Sequence, residues 1–287
     1  MFDRFVVIDW SANSRPRRGR DSIWIAVLDA HGLSVSNPAT RGAAEQFLVE
    51  LVDDDPSGRA LVGVDFSLGY PAGTAAALGL TGSPWASMFR FLGESICDGD
   101  RNSNNRFEVA TALNARITAT AAPFWGCPPS VSGETLTTTK PALFAPLGEW
   151  RLVEAVLREQ GHRPFSSWQL LGAGAVGSQS LLGIPMIDRL VTRFPDRVSV
   201  WPFTTGMHAP NVGPGSVVVA EVWPSLLPLD LSDDAVRDQA QVVAVADWLS
   251  GLDAAGRLAE LFSPDIAGSD ELAVIEREEG WVLGVGY

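Results

Sequence analysis

Two apolar runs in this chain end in the same triplet of residue types. Phe5-Val6-Val7-Ile8 leads into Asp9-Trp10-Ser11, and Leu61-Val62-Gly63-Val64 leads into Asp65-Phe66-Ser67. Short β-branched runs without polar alternation read as strands buried on both faces, central and parallel. A carboxylate at the C-terminal end of such a strand stands at the mouth of a crevice, where open α/β sheets place their ligands. Two carboxylates arriving from neighbouring strands oppose each other's ionisation unless a cation lies between them. Asp9 and Asp65 therefore point to a divalent metal. Mg²⁺ or Mn²⁺ suits oxygen ligands, and Mg²⁺ keeps several of its waters, so few carboxylates suffice.

Two further carboxylates join the candidate set. Glu221 lies in the apolar run 217–222, which leads into Trp223-Pro224, and Asp238 falls in the first turns of a helical pattern over 234–249. Asp234, one turn earlier on the same face, competes with Asp238. The plainer alternative makes Asp9 and Asp65 turn formers at strand ends and Asp238 a solvated helix residue.

Anion-binding candidates cluster between the first two strands. Arg15, Arg17, Arg18 and Arg20 are four of the 21 basic residues of an otherwise acidic chain. Guanidinium groups there could grip phosphate oxygens; a solvated hairpin tip is the alternative reading. Ser11 and Ser67 could donate to a phosphate or close their own turns. Arg106 and Arg116 are further candidate phosphate contacts, with a surface role as the alternative. Leu171-Gly172-Ala173-Gly174-Ala175-Val176-Gly177 carries the spacing of a dinucleotide fingerprint, but Val198–Phe203 ends in Thr204-Thr205-Gly206 where an acidic residue is needed. A tight turn with close helix–strand approach explains these glycines more simply.

The elements that must position these groups follow from periodicity. Strands are expected at 5–9, 22–28 and 33–36 as an antiparallel meander. Ala44, Phe47, Leu48, Leu51 and Val52 then mark a helix over 43–52, and 61–65 returns as a strand. That opening, a three-strand meander, a crossover helix and a strand parallel to the first, is that of the ribonuclease H-like fold. Helices are expected at 85–96, 105–117 and 150–160, with Ser83-Pro84 as cap and first position of the first of these. Residues 118–149 read as a long irregular excursion, and such loops are often functional lids. Residues 70–161 are taken as a largely helical insertion capping the crevice of a single domain spanning 1–287. Beyond it, strands are expected at 168–171, 198–203 and 217–222, and helices at 178–194, 234–249 and 254–262, the first bent at Gly183-Ile184-Pro185.

Composition narrows the function classes. The 287 residues are 46% hydrophobic and 19% charged, which describes a globular chain. A net charge of −13 argues against a broad nucleic-acid face and favours a small or locally held substrate. Cys97 and Cys127 match no zinc or disulfide pattern and are expected as two buried thiols. The three histidines, His31, His162 and His208, are scattered, and no Ser-His-Asp order or G-x-S-x-G elbow occurs. Among the ten tryptophans, Trp10 and Trp125 are placed where they could line a crevice. Asp3 and Arg4 interrupt any signal peptide, and no apolar run approaches a membrane span, so a cytoplasmic location is expected.

Strand-Asp9 at the N-terminus, Val64-Asp65-Phe66-Ser67 with Gly69-Tyr70-Pro71 behind it, Glu221-Val222-Trp223-Pro224 and the Asp238 helix occur in that order. In this combination the chain resembles a bacterial family of predicted nucleases with the ribonuclease H-like fold. The resemblance implies an α/β mixed sheet flanked by helices. It also implies that Asp9, Asp65, Glu221 and Asp238 hold Mg²⁺ or Mn²⁺ for phosphodiester cleavage of a nucleotide or nucleic acid. Two other readings stay open: an actin-like nucleotide-binding or phosphotransfer protein, and a non-catalytic scaffold of the same fold. Against the first, Trp10 and Phe66 stand where phosphate loops want glycine.

Overall fold

A computed structural model of the chain describes residues 1–172, 175–229, 236–266 and 268–287. The N-terminal meander consists of β1 (Arg4–Asp9), β2 (Trp24–Asp29) and β3 (Gly32–Ser36), each antiparallel to its predecessor. Helix α1 (Arg41–Asp54) starts where Thr40 Oγ1 accepts the Ala43 N–H, which satisfies one free donor of the first turn. It crosses over to β4 (Ala60–Val64), which runs parallel to β1 in register from Arg4↔Ala60 to Ile8↔Val64. Four helices follow: α2 (Thr74–Ala77), α3 (Pro84–Ser95), α4 (Arg106–Ile117) and α5 (Leu152–Glu159). The chain then forms α6 (Gly177–Arg193), β5 (Val198–Val200), β6 (Val217–Glu221), α7 (Arg237–Ala254) and α8 (Ser269–Val274). The result is an α/β protein with a six-stranded mixed sheet of order β3-β2-β1-β4-β6-β5. Strands β1, β4, β6 and β5 are mutually parallel.

Strand alternation sorts the core into two layers. Val6, Ile8, Val62, Val64, Val217 and Val219 face α1 and α6 on one side. Phe5, Val7, Leu61, Val218 and Ala220 face α7 on the other. Helix α3 packs on the outside of α6, and α7 lies across β1 and β2. Gly183 lies in α6 because the Phe66 ring occupies the space a Cβ would take. Pro185 sits two residues later inside the same helix, which continues to Arg193.

Several expectations change at the edges. Residues 168–171 form no strand; the segment makes a single bridge, Trp125↔Gln169. Strand β5 stops at Val200, because Trp201 leads into Pro202, which has no N–H for a ladder. The helix expected at 254–262 is a 3-10 turn over Leu258–Phe262. Cys127 is buried as expected, but Cys97 is exposed just past the end of α3. Residues 118–149 are irregular apart from a 3-10 turn at Pro129–Val131. They are tied down by buried Asn114, whose amide donates to Phe124 O and Thr135 O and accepts from Phe124 N. Among the described residues no helix is long and apolar enough to cross a membrane.

Candidate functional site

The ladder between β1 and β4 runs one step past the last paired residues, where Asp65 N–H donates to Ile8 O at 3.2 Å. Asp9 follows Phe5 and Val7 in alternation, and Asp65 follows Leu61, so both carboxyls emerge on the α7 side of the sheet. The Trp10 N–H donates to Asp65 Oδ1 at 2.7 Å. Trp10 O in turn accepts from the Gln179 side chain, and the indole is buried against Phe66 with ring centroids 6.0 Å apart. The peptide after Asp9 is thus held on both sides.

The two carboxyls are close enough to act on each other's ionisation. Burial and the adjacent Asp65 charge push Asp9 well above the ordinary carboxyl range; Asp238 and Asp21 add to the effect. Burial also pushes Asp65 up to about 6, opposed by its interaction with Asp9 and by the hydrogen bond it accepts from the Trp10 N–H. The pair therefore holds protons more tightly than free aspartates do, as expected when like charges meet in a crevice.

Asp238, near the start of α7, comes to the same crevice. Its Oδ2 accepts the Asp21 N–H at 2.7 Å, which ties the β1–β2 loop to α7. Asp234 lies outside the described residues, as do Ala173 and Gly174 of the glycine-rich turn. Gly177 of that turn is a packing glycine, since a Cβ there would fall 2.6 Å from both Ser167 O and Gln169 O.

Glu221 is placed differently. It pairs in register with Val64 and follows Val217 and Val219, which puts it on the opposite face from Asp9 and Asp65. Its Oε1 accepts from Arg151 Nη2 at 2.6 Å, and its Oε2 accepts from Arg151 Nη1 at 2.8 Å and from Leu68 N at 3.0 Å. Arg151 is fully buried and also binds Glu154 and Glu279 O. Burial opposes the Arg151 charge, but Glu154 and Glu221 outweigh it and hold the guanidinium firmly protonated. The sequence offered no hint of this, because Arg151 is 70 positions away and carries no motif.

A two-lobed cleft surrounds the carboxyls. One lobe, of about 790 Å³, is lined by Asp9, the Ser11–Arg15 stretch, Arg17 and Arg106. The other, of about 670 Å³, is lined by Asp65, Ser67, His162, Arg163, Phe165 and Trp223, and Glu221 borders it too, although its carboxylate is engaged by Arg151. Asp21, Gln179, Asp238 and Gln241 border both. Of the four loop arginines, Arg15 and Arg17 reach the first lobe, whereas Arg18 and Arg20 line neither. Arg17 also pairs with Asp21 at 3.2 Å. Ser11 spends its hydroxyl within the loop, donating to Asp21 O and accepting from Asn13 Nδ2. From 70–161 only Arg106 and Leu157 line the cleft, and none of 118–149 does. Trp125 packs against the core, while Trp223, missed in the sequence, faces the second lobe with His162 edge-on at 5.5 Å.

The loop that forms one wall is itself fastened. Arg41 donates to Ser11 O, Asn13 O and Asn102 O and forms an ion pair with Asp98. Arg106 donates through Nε to Ser178 Oγ and through Nη1 to Ser14 Oγ and Asn104 Oδ1.

Among the described residues, no group of three or more His, Cys, Asp or Glu side chains is disposed to hold a metal ion. The donor chemistry fits a smaller set. Asp9 and Asp65 crowd two carboxyls whose mutual repulsion a cation would relieve, and Asp238 keeps Oδ1 without a hydrogen bond among the described residues. Both Glu221 oxygens already accept from Arg151. Comparisons with protein-family models, curated proteins and solved structures return no match.

Proposed function

We propose that this chain is a metal-dependent phosphodiesterase of the nuclease type, with a ribonuclease H-like core, acting on a nucleotide or nucleic acid. The observation that carries the reading is the Asp9–Asp65 pair, two adjacent carboxyls at the ends of neighbouring parallel strands that border an open cleft. The order β3-β2-β1-β4 with a crossover helix supports the core assignment. Asp9 and Asp65 would hold one Mg²⁺ or Mn²⁺, with Asp238 beside them. Bound there, such an ion supplies polarisation of a phosphoryl oxygen and a water acidic enough to attack at neutral pH. The Trp10 N–H fixes the orientation of Asp65, and Gln179 fixes Trp10. Arg15 and Arg17 border the lobe where substrate phosphates would lie. Glu221 is left out of the ligand set, since its charge is already spent on Arg151.

The test is hydrolysis of bis(p-nitrophenyl) phosphate and of a short single-stranded oligonucleotide with Mn²⁺, for wild type and Asp9→Asn. Metal-dependent turnover lost in the variant supports the assignment. Equal turnover in both would remove it. A second reading, a binding module using the same cleft without catalysis, is favoured by the small number of available carboxylates. Binding without turnover in the same assay selects it.

A further inference from the structure

Among the described residues, Arg106 is a buried cation without a carboxylate of its own. It is 8% exposed, and its three hydrogen-bond partners, Ser178, Ser14 and Asn104, are all neutral. Its Nη2 makes no hydrogen bond among the described residues, and the side chain lines the first lobe of the cleft. The adjacent acid, Asp98, is taken by Arg41 through two hydrogen bonds. Two guanidiniums thus stand beside one committed carboxylate. Glu108 in the first turn of α4 is exposed, and the Phe107 face at 4.3 Å offers only a weak cation–π partner. Burial, with Arg41 beside it, pulls the Arg106 pKa down to about 10, the mark of a cation short of countercharge.

Leaving a buried charge unpaired is expensive, and an anion bound at its free side would offset that cost. The free Nη2 can donate a charge-assisted hydrogen bond to a phosphate oxygen, and the hydroxyl of Ser14, which accepts from Nη1, stands next to it with its own proton to donate. The loop bearing Arg15 and Arg17 forms the rim. The same lobe contains Asp9, so a phosphate at Arg106 and a reacting bond at the carboxyl pair would belong to one molecule.

We infer that Arg106, with Ser14, forms an anion subsite that anchors a phosphate group of the substrate beside the Asp9–Asp65 pair. This rests on the phosphodiesterase reading for the reaction, but not for the binding. The phosphate could be a terminal monoester or an internal diester.

The experiment is calorimetric binding in EDTA, where metal-dependent turnover is silent, with three probes: inorganic phosphate, the dinucleotide TpT and its 5′-phosphorylated form pTpT. Arg106→Gln should weaken phosphate-bearing probes at least tenfold. Removing a charge short of countercharge offsets the hydrogen bonds lost to Ser178, Ser14 and Asn104, so thermal stability should change little. Ser14→Asp, on an exposed loop position, sets a carboxylate on Arg106. It should abolish probe binding while the fold tightens, and it stands in if Arg106→Gln fails to fold. A wild-type preference for pTpT that Arg106→Gln erases identifies a terminal phosphate. Equal weakening of TpT and pTpT identifies an internal diester. Wild type that binds none of the probes overturns the subsite, as does Ser14→Asp binding them like wild type. Turnover without Arg106-dependent binding would sink this inference alone; Arg106-dependent binding without turnover would sink only the phosphodiesterase reading.

Discussion

The Trp10 N–H donates to Asp65 Oδ1 at 2.7 Å, so the backbone just after one acidic residue orients the carboxyl of the other. Asp9 and Asp65 are consequently a mechanical unit as well as an electrostatic one. Their raised pKa values set a sign for pH dependence. Both folded-state values lie above those of unfolded aspartate, so the unfolded chain binds fewer protons above pH 4. The stabilising share is complete below pH 4 and falls as pH rises through about 6 and beyond.

Asp65→Asn keeps an oxygen for the Trp10 N–H and removes the charge conflict. In metal-free buffer at pH 8 the variant should be more stable than wild type, by on the order of 2 kcal/mol. The advantage should shrink towards pH 4. Denaturant melts at both pH values check it, and a gap that grows on acidification would contradict the charge conflict.

Mg²⁺ or Mn²⁺ should raise the melting temperature of wild type, more at pH 8 than at pH 5, because the cation must displace a proton. Asp9→Asn and Asp65→Asn should lose the response. A response of equal size in all three proteins would place the ion elsewhere.

Glu221→Gln should behave as a core lesion. Removing one partner of a buried, hydrogen-bonded ion pair costs about 3–5 kcal/mol, since the fully buried Arg151 then lacks part of its countercharge. The folded fraction should keep its metal response at permissive temperature. A variant with wild-type stability and no metal response would return Glu221 to the ligand set.

The loop arginines should separate into two pairs. Arg15→Ser with Arg17→Ser should weaken oligonucleotide binding and flatten its salt dependence, since both side chains border the lobe. Arg18→Ser with Arg20→Ser should change neither by more than about twofold, as expected of exposed surface positions. Equal effects from both pairs would make the loop a diffuse electrostatic field.

What the sequence made legible follows from how local each signal is. Asp9 and Asp65 could be found because each closes an uninterrupted apolar run, and strand burial imposes that pattern within five residues. The order of the meander, α1 and β4 was equally local. Glu221 shows the opposite case, since an acid at the end of a buried strand reads the same whether it faces a metal or an arginine. Its partner is supplied by α5, through a fold-level contact that periodicity does not encode. Arg106 was legible as a cation on a helix. That Asp98 is already taken by Arg41, leaving Arg106 without an acid, depends on three elements meeting. The segment 168–171 looked like a strand because Trp168 and Leu170 are core residues, but burial alone does not supply a hydrogen-bonding neighbour.

Arg41 fastens Ser11 and Asn13 to the rest of the molecule through their carbonyls, and Asp21 is fastened to Asp238. A wall held this way has lost its conformational freedom during folding rather than at the moment of encounter. Ligand binding should then carry none of the large heat-capacity change of a segment that folds on its partner. Association should be governed by how fast an anion finds the cleft past a surface of charge −13, so its rate should rise with ionic strength even as the contact with Arg106 weakens.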